Sequence, residues 1–191
     1  MRDAATGTVT EADLSTSGAQ PNAAATGGWL SDDGGYVTFE SAAPTWLPAS
    51  PPGVTQVDRR DLQTGTTILV SVGSSGLPGN KTSERPRISG DGRYLVYESL
   101  ATNLVTAPAS AFRQIYLRDT LAGTTRLVSA AAPGGPGDGV CPPLGVYPQL
   151  CGSFQPQISQ DGSYVLYASN ARTIVPNTTG AFPQAIVTRV S

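Results

Sequence analysis

Three aspartates recur in one setting, Ser31-Asp32-Asp33-Gly34, Ser89-Gly90-Asp91-Gly92 and Ser159-Gln160-Asp161-Gly162. Three carboxylates converging on one axis could share general-acid and general-base work. Asp ahead of Gly has a plainer use, because its carboxylate accepts backbone hydrogen bonds within a tight turn. That use explains the recurrence without catalysis. The same holds for Arg2/Asp3, Arg60/Asp61 and Arg118/Asp119, which are expected to order a second kind of turn. Glu40 and Glu98 match each other, but the third copy carries Ala168, so a catalytic pair would have to be recruited from unlike positions. No such pair is visible, and a non-enzyme is expected.

Composition narrows the chemistry further. The 191 residues include no His, which removes Ser-His-Asp and Cys-His pairs and imidazole-ligated metals. Twelve Lys plus Arg against 14 Asp plus Glu leave no basic excess for a phosphate backbone, so no nucleic-acid partner is expected. Lys81 is the single lysine, and no polybasic run or long apolar span points to direct membrane insertion. No CxxC or metal-spaced cluster appears, so neither a metal nor another cofactor is expected. The start MRDAATGTVTEAD lacks the features of a signal peptide, so an exported form would already have lost its signal.

The turns belong to a repeat. SDDGGYVTFES, SGDGRYLVYES and SQDGSYVLYAS align without gaps, with Asp33 and Asp91 58 residues apart and Asp91 and Asp161 70. The Arg-Asp landmark recurs at 58 both times. The extra residues of the last interval fall in the Gly/Pro-rich stretch PGGPGDGVCPPLGVYPQLCGS, which holds both cysteines, Cys141 and Cys151. A pair placed there reads as one disulfide closing a surface loop in an oxidising compartment, with two free thiols as the alternative.

In the middle copy, strand signals cover residues 85–89, 94–98, 114–117 and 125–129, with turn residues between them. Tyr94, Leu95, Val96 and Tyr97 are apolar on both faces of their strand, so the sheet should be covered on both sides. Four-stranded sheets in series, each covering the next, describe β-propeller blades. The fold class is therefore all-β, one propeller-type region over 1–191, with blade units near 16–73, 74–131 and 132–191 plus 1–15.

Ser-x-Asp-Gly-x-Tyr-aliphatic-x-aromatic, Ala-Thr-Asn-Leu-Val at 101–105, Gln-Ile-Tyr-Leu-Arg-Asp and Thr-Thr-Arg-Leu-Val-Ser together resemble the WD40-like (PD40) repeats of TolB-type β-propellers. The resemblance covers nearly the whole chain. It implies an exported bacterial module, extracellular or periplasmic, that serves in binding or scaffolding. Some such sequences carry an Asp/Asn-rich segment suited to a cation between the second and third strands. Here those segments, PTWLPASPPGV, TNLVTAPASAF and IVPNTTGAF, contain no carboxylate, so calcium is not carried over.

Function in a repeat is sought where the copies differ. Trp29, Arg87 and Gln157 occupy one equivalent position on the first strand, the strand nearest a propeller's channel. An aromatic face, a guanidinium and an amide at one mouth would suit a sugar or a peptide. The alternative is that Trp29 packs between blades while the other two are solvated. Trp46 aligns with Leu104 and Ile174 and is expected to anchor a loop.

Closure is the remaining question. One blade is split between the ends, with residues 1–15 resembling a fourth strand that the last unit lacks. Either the chain is part of a larger propeller completed by other sequence or another subunit, or two copies form a six-bladed ring. The expected function is a non-catalytic binding or scaffold module for a protein, peptide or glycan partner, with the cysteine loop as a candidate contact. The alternatives are a structural subunit of an assembly and a glycan- or peptide-cleaving hydrolase.

Overall fold

A computed structural model describes residues 6–43, 51–107, 110–131, 134–139, 151–175 and 182–190. Every named element is a strand, and neighbouring strands are antiparallel. The first sheet comprises β1 (Ala25–Leu30), β2 (Tyr36–Ser41), β3 (Gln56–Asp61) and β4 (Thr67–Leu69) in sequential order. The second repeats this with β5 (Ser83–Ile88), β6 (Tyr94–Ser99), β7 (Gln114–Asp119) and β8 (Thr124–Leu127). The third holds β9 (Ser153–Ile158), β10 (Tyr164–Ser169) and β11 (Gln184–Arg189), three strands among the described residues. The fourth strand of this split unit is not supplied from within the described chain.

The first hairpin of each sheet turns on the recurrent aspartate. Ser31, Ser89 and Ser159 donate from Oγ to Asp33, Asp91 and Asp161 at 2.6, 2.6 and 2.5 Å, and each serine accepts the N–H of Tyr36, Tyr94 or Tyr164. The carboxylates also accept the N–H of Gly35, Arg93 and Ser163. These bonds hold Asp33 below the usual carboxylate range and lower Asp161 to about 2. Gly34, Gly92 and Gly162 take φ near +72°, a region open to Gly at no steric cost. In the second turn, Asp61 accepts from Gln63 and Thr64, and Asp119 from Leu121 and Ala122.

The middle sheet is covered on both faces. Leu95, Tyr97 and Tyr116 pack toward Val57 and Val70 of the first sheet, whereas Val96, Ile115, Leu117 and Val128 pack toward Val165, Tyr167 and Ile186 of the third. Alternation along β6 and β7 sends successive side chains into two cores. At about 25 cal/mol per Å² of apolar surface removed from water, burial along these two seams helps to hold the sheets together. Each seam also seats a tyrosine ring on the next sheet's turn glycine. A Cβ on Gly92 would fall 2.1 Å from the Tyr36 ring, and one on Gly162 2.5 Å from the Tyr94 ring.

The fourth strand ends earlier than 129. Val128 and Ser129 both direct their N–H to the Ile115 carbonyl, and the Ser129 hydroxyl turns inward between the Ile115 N–H and Gln114 Oε1. Ser71 does the same with Val57 and Gln56. Both serines are fully buried, so the side-chain bonds stand in for the strand ladder there.

Candidate functional site

The inner strands β1, β5 and β9 lie side by side, each carrying a bulge or register shift against its partner. Gly27, Arg85 and Gln155 sit at the equivalent bulge position with φ of 61°, 54° and 55°. For Arg85 and Gln155 this left-handed conformation is strained, and it persists because the surroundings over-determine it. Arg85 donates its backbone N–H to Glu40 Oε1 at 2.7 Å, and Gln155 donates its own to Glu98 Oε2 at 2.9 Å. A second-strand glutamate of one sheet thus holds the first-strand bulge of the next. Gly27 is needed for its own reason, since a Cβ there would fall 2.7 Å from Glu40 Oε1.

Glu98 is the centre of a charged network. Its fully buried carboxylate meets Arg113 Nη1 at 2.7 Å and Arg85 Nη1 at 3.0 Å, and Arg113 also reaches Glu84 at 2.8 Å. Glu40, partly buried, holds its proton more tightly than an ordinary glutamate because burial penalises its charge, an effect the Arg85 N–H partly offsets.

Two residues beyond each bulge stand Trp29, Arg87 and Gln157, and the structure brings all three together. The Arg87 guanidinium lies 4.3 Å from the Trp29 ring centroid, and its Nε donates to Gln157 Oε1 at 3.3 Å. Nη1 donates to the Pro86 carbonyl. Trp29 is 47% exposed and offers one ring face to Arg87 of the second sheet, a cation–π contact. Burial lowers the Arg87 pKa below the usual arginine value, and Glu40 acts against this shift.

A groove of about 440 Å³ beside this cluster is lined by Arg85, Arg87, Gln155, Gln157, Leu166 and Ala168, among others. It offers guanidinium and amide groups over a short apolar wall, a set suited to ligand carbonyls or carboxylates. Among the described residues no three His, Cys, Asp or Glu side chains are grouped to hold a metal ion. No helix there is long and apolar enough to cross a membrane. Trp46 and Cys141 lie outside the described residues, as do Arg2 and Asp3. The expected Cys141–Cys151 pairing therefore falls partly outside the described residues, among which no cysteine is free.

Reading the repeat column by column identifies Trp29, Arg87 and Gln157, but it does not reveal the glutamate-to-bulge bonds. Glu40 and Glu98 were visible as a matched pair. Their partners lie in the following repeat, 45 and 57 residues away.

Antiparallel sheets in sequential strand order, packed face to face in series with their first strands adjacent, define β-propeller blades. The protein is an all-β chain of propeller type. Solved structures similar to it include a putative TolB from Agrobacterium tumefaciens, at 14% identity and TM-score 0.47 over 85% of this chain and 49% of that one. The β-propeller domain of the Trilobed protease from Pyrococcus furiosus gives 11%, 0.46, 77% and 34%, and the tricorn protease gives 10%, 0.47, 85% and 12%. The chain thus spans less than half of each of these structures. No family model and no curated protein matches it.

Proposed function

We propose that this chain is a non-catalytic binding module of the TolB-type WD40-like repeat class, exported to the periplasm or cell exterior, with its ligand site at the inner-strand cluster. One observation carries the reading: Arg87 joins Trp29 of the first sheet and Gln157 of the third at a single solvent-facing point. Three sheets contribute one side chain each, at a position where the repeats differ in chemistry. Among the described residues Arg87 makes no carboxylate ion pair, so its remaining donors suit an acceptor on a protein, peptide or glycan partner. The recurrent aspartates serve turns and Glu98 serves an internal network, which leaves them poorly placed as acid–base catalysts. The Cys141–Cys151 loop belongs to the same proposal, as a disulfide-closed contact.

Glycan and peptide arrays, probed with the wild-type chain and Arg87→Ala, test this reading. A selective ligand is expected, bound about tenfold to a hundredfold more weakly by the variant, the range for losing a charge-assisted hydrogen bond. Turnover of a chromogenic glycoside or peptide, lost on replacing one aspartate, would instead establish an enzyme.

A further inference from the structure

We infer that the cleft between the first and second sheets, at their turn ends, is a second binding site for an α-carboxylate flanked by an N–H donor, as in a free amino acid or a peptide's C-terminal residue. The cleft has a volume of about 430 Å³ and is lined by Tyr36 and Arg59 of the first sheet and by Asp91, Arg93, Thr120 and Leu121 of the second. Both sheets have four paired strands, and every lining residue is among those described. The site is separate from the inner-strand cluster, since Trp29, Arg87 and Gln157 are not among its walls.

The repeat shows what is unusual at this place. Arg59 on β3 matches Leu117 on β7, and Thr120 matches Val190. Leu117 and Val190 are both buried in the apolar core of the second seam. The first seam has a guanidinium and a hydroxyl at those positions, and a cleft beside them.

Arg59 is held in place before any ligand arrives. Its Nη1 donates to the Gly92 carbonyl at 2.6 Å and to Thr120 Oγ1 at 2.9 Å, and its Cζ lies 4.5 Å from the Tyr36 ring centroid. The Thr120 hydroxyl gives its own proton to the Arg93 carbonyl, which leaves its oxygen to accept from Arg59. These contacts fix the plane of the guanidinium but supply no counter-charge. Among the described residues Arg59 forms no ion pair with a carboxylate, its two hydrogen bonds both come from Nη1, and Nε is buried without a partner. Burial lowers its pKa below the usual arginine value, with Tyr36 and Asp61 acting against the shift. A partly desolvated cation without a counter-ion gains most from a charged acceptor, and the free Nη2 is the donor left to meet a carboxylate.

The second sheet narrows the choice of oxyanion. Arg93 is already committed, because its Nε and Nη2 donate to the two Asp119 oxygens at 3.0 and 2.6 Å. Asp91 places a carboxylate in the wall. Its Oδ1 accepts from the Ser89 hydroxyl and the Arg93 N–H, whereas Oδ2 accepts no hydrogen bond among the described residues. A bare oxyanion would be repelled by this group. A carboxylate with an N–H on its α-carbon offers its oxygens to Arg59 and that N–H to Asp91, so one ligand satisfies both. Leu121, 77% exposed at the rim, offers apolar contact to the ligand's side chain.

Proton–nitrogen correlation spectra of the full chain, titrated with leucine, with the tripeptide Gly-Gly-Leu and with its C-terminal amide, test the inference. Saturable shifts of the Gly92, Arg93 and Leu121 amides are expected with at least one of the two carboxylates, and the peptide amide should bind about tenfold to a hundredfold more weakly than the acid that binds. Response to leucine and peptide alike would show that a single residue suffices, and response to the peptide alone would identify a chain end as the source. Arg59→Leu, which installs the residue of the second repeat, should weaken binding by a similar factor. An amide that binds as tightly as the acid, an Arg59→Leu protein that binds unchanged, or spectra unmoved by all three probes would overturn the inference. The acid-to-amide comparison uses the unaltered chain and stands even if the variant does not fold.

Discussion

Replacing Asp58 by Asn is expected to stabilise the protein at pH 8 and to change little below about pH 4. Asp58 lies on β3 with 3% of its surface exposed, at a position occupied by Tyr116 in the second repeat and Ile186 in the third. Its Oδ1 is buried without a hydrogen-bond partner, and burial raises its pKa from 3.8 to about 7. The folded state therefore binds a proton that the unfolded chain releases between these values. The sign follows directly: stability is unaffected by this group below about pH 4, falls as pH rises to about 7, and stays reduced above it. A shift of this size corresponds to about 4 kcal/mol at full extent. Asn keeps the shape without the charge, so urea unfolding of the variant should show that decline nearly abolished between pH 5 and 8. Equal pH slopes in the two proteins would show that Asp58 is solvated or paired. Below pH 4 a different effect enters, because Asp119, lowered to about 2 chiefly by its hydrogen bond with Arg93, loses its ion pair as it is protonated.

Glu98→Ala is expected to cost about 3 to 5 kcal/mol, the range for removing one partner of a buried ion pair. It takes an acceptor from Arg113, from Arg85 and from the strained Gln155 bulge at once. In a protein of this size the loss should lower the melting temperature by roughly 10 °C or more. Glu40→Ala is the matched comparison. Glu40 is less buried and accepts the one bulge N–H of Arg85, so its loss should cost about 1 kcal/mol. Equal costs for the two variants would mean that the buried network adds nothing beyond the bulge bond.

Much of this organisation was legible in residue order. Tyr94-Leu95-Val96-Tyr97 announced a strand covered on both faces, and Ser-x-Asp-Gly announced its turn, because those patterns act over two to five residues. Trp29, Arg87 and Gln157 were legible because a true repeat brings equivalent first-strand positions to one axis. The strand limits were not, since Ser129 competes with the backbone ladder through its own side chain. Nor were the bulges at Arg85 and Gln155, where a left-handed residue is imposed by a glutamate in the preceding repeat. Asp58 drew no notice in the sequence because it matches neither of its equivalents, and only burial reveals its cost.

The central functional claim is that a ligand meets the protein at Trp29 and Arg87. The most direct measurement is the fluorescence of a Trp46→Phe variant, in which Trp29 is the single indole, titrated with the strongest array ligand. A saturable change at the concentration where binding occurs, absent when Arg87 is also replaced by Ala, is the expected result. Binding that leaves the Trp29 emission unaltered and survives the Arg87 substitution would place the ligand elsewhere on the protein.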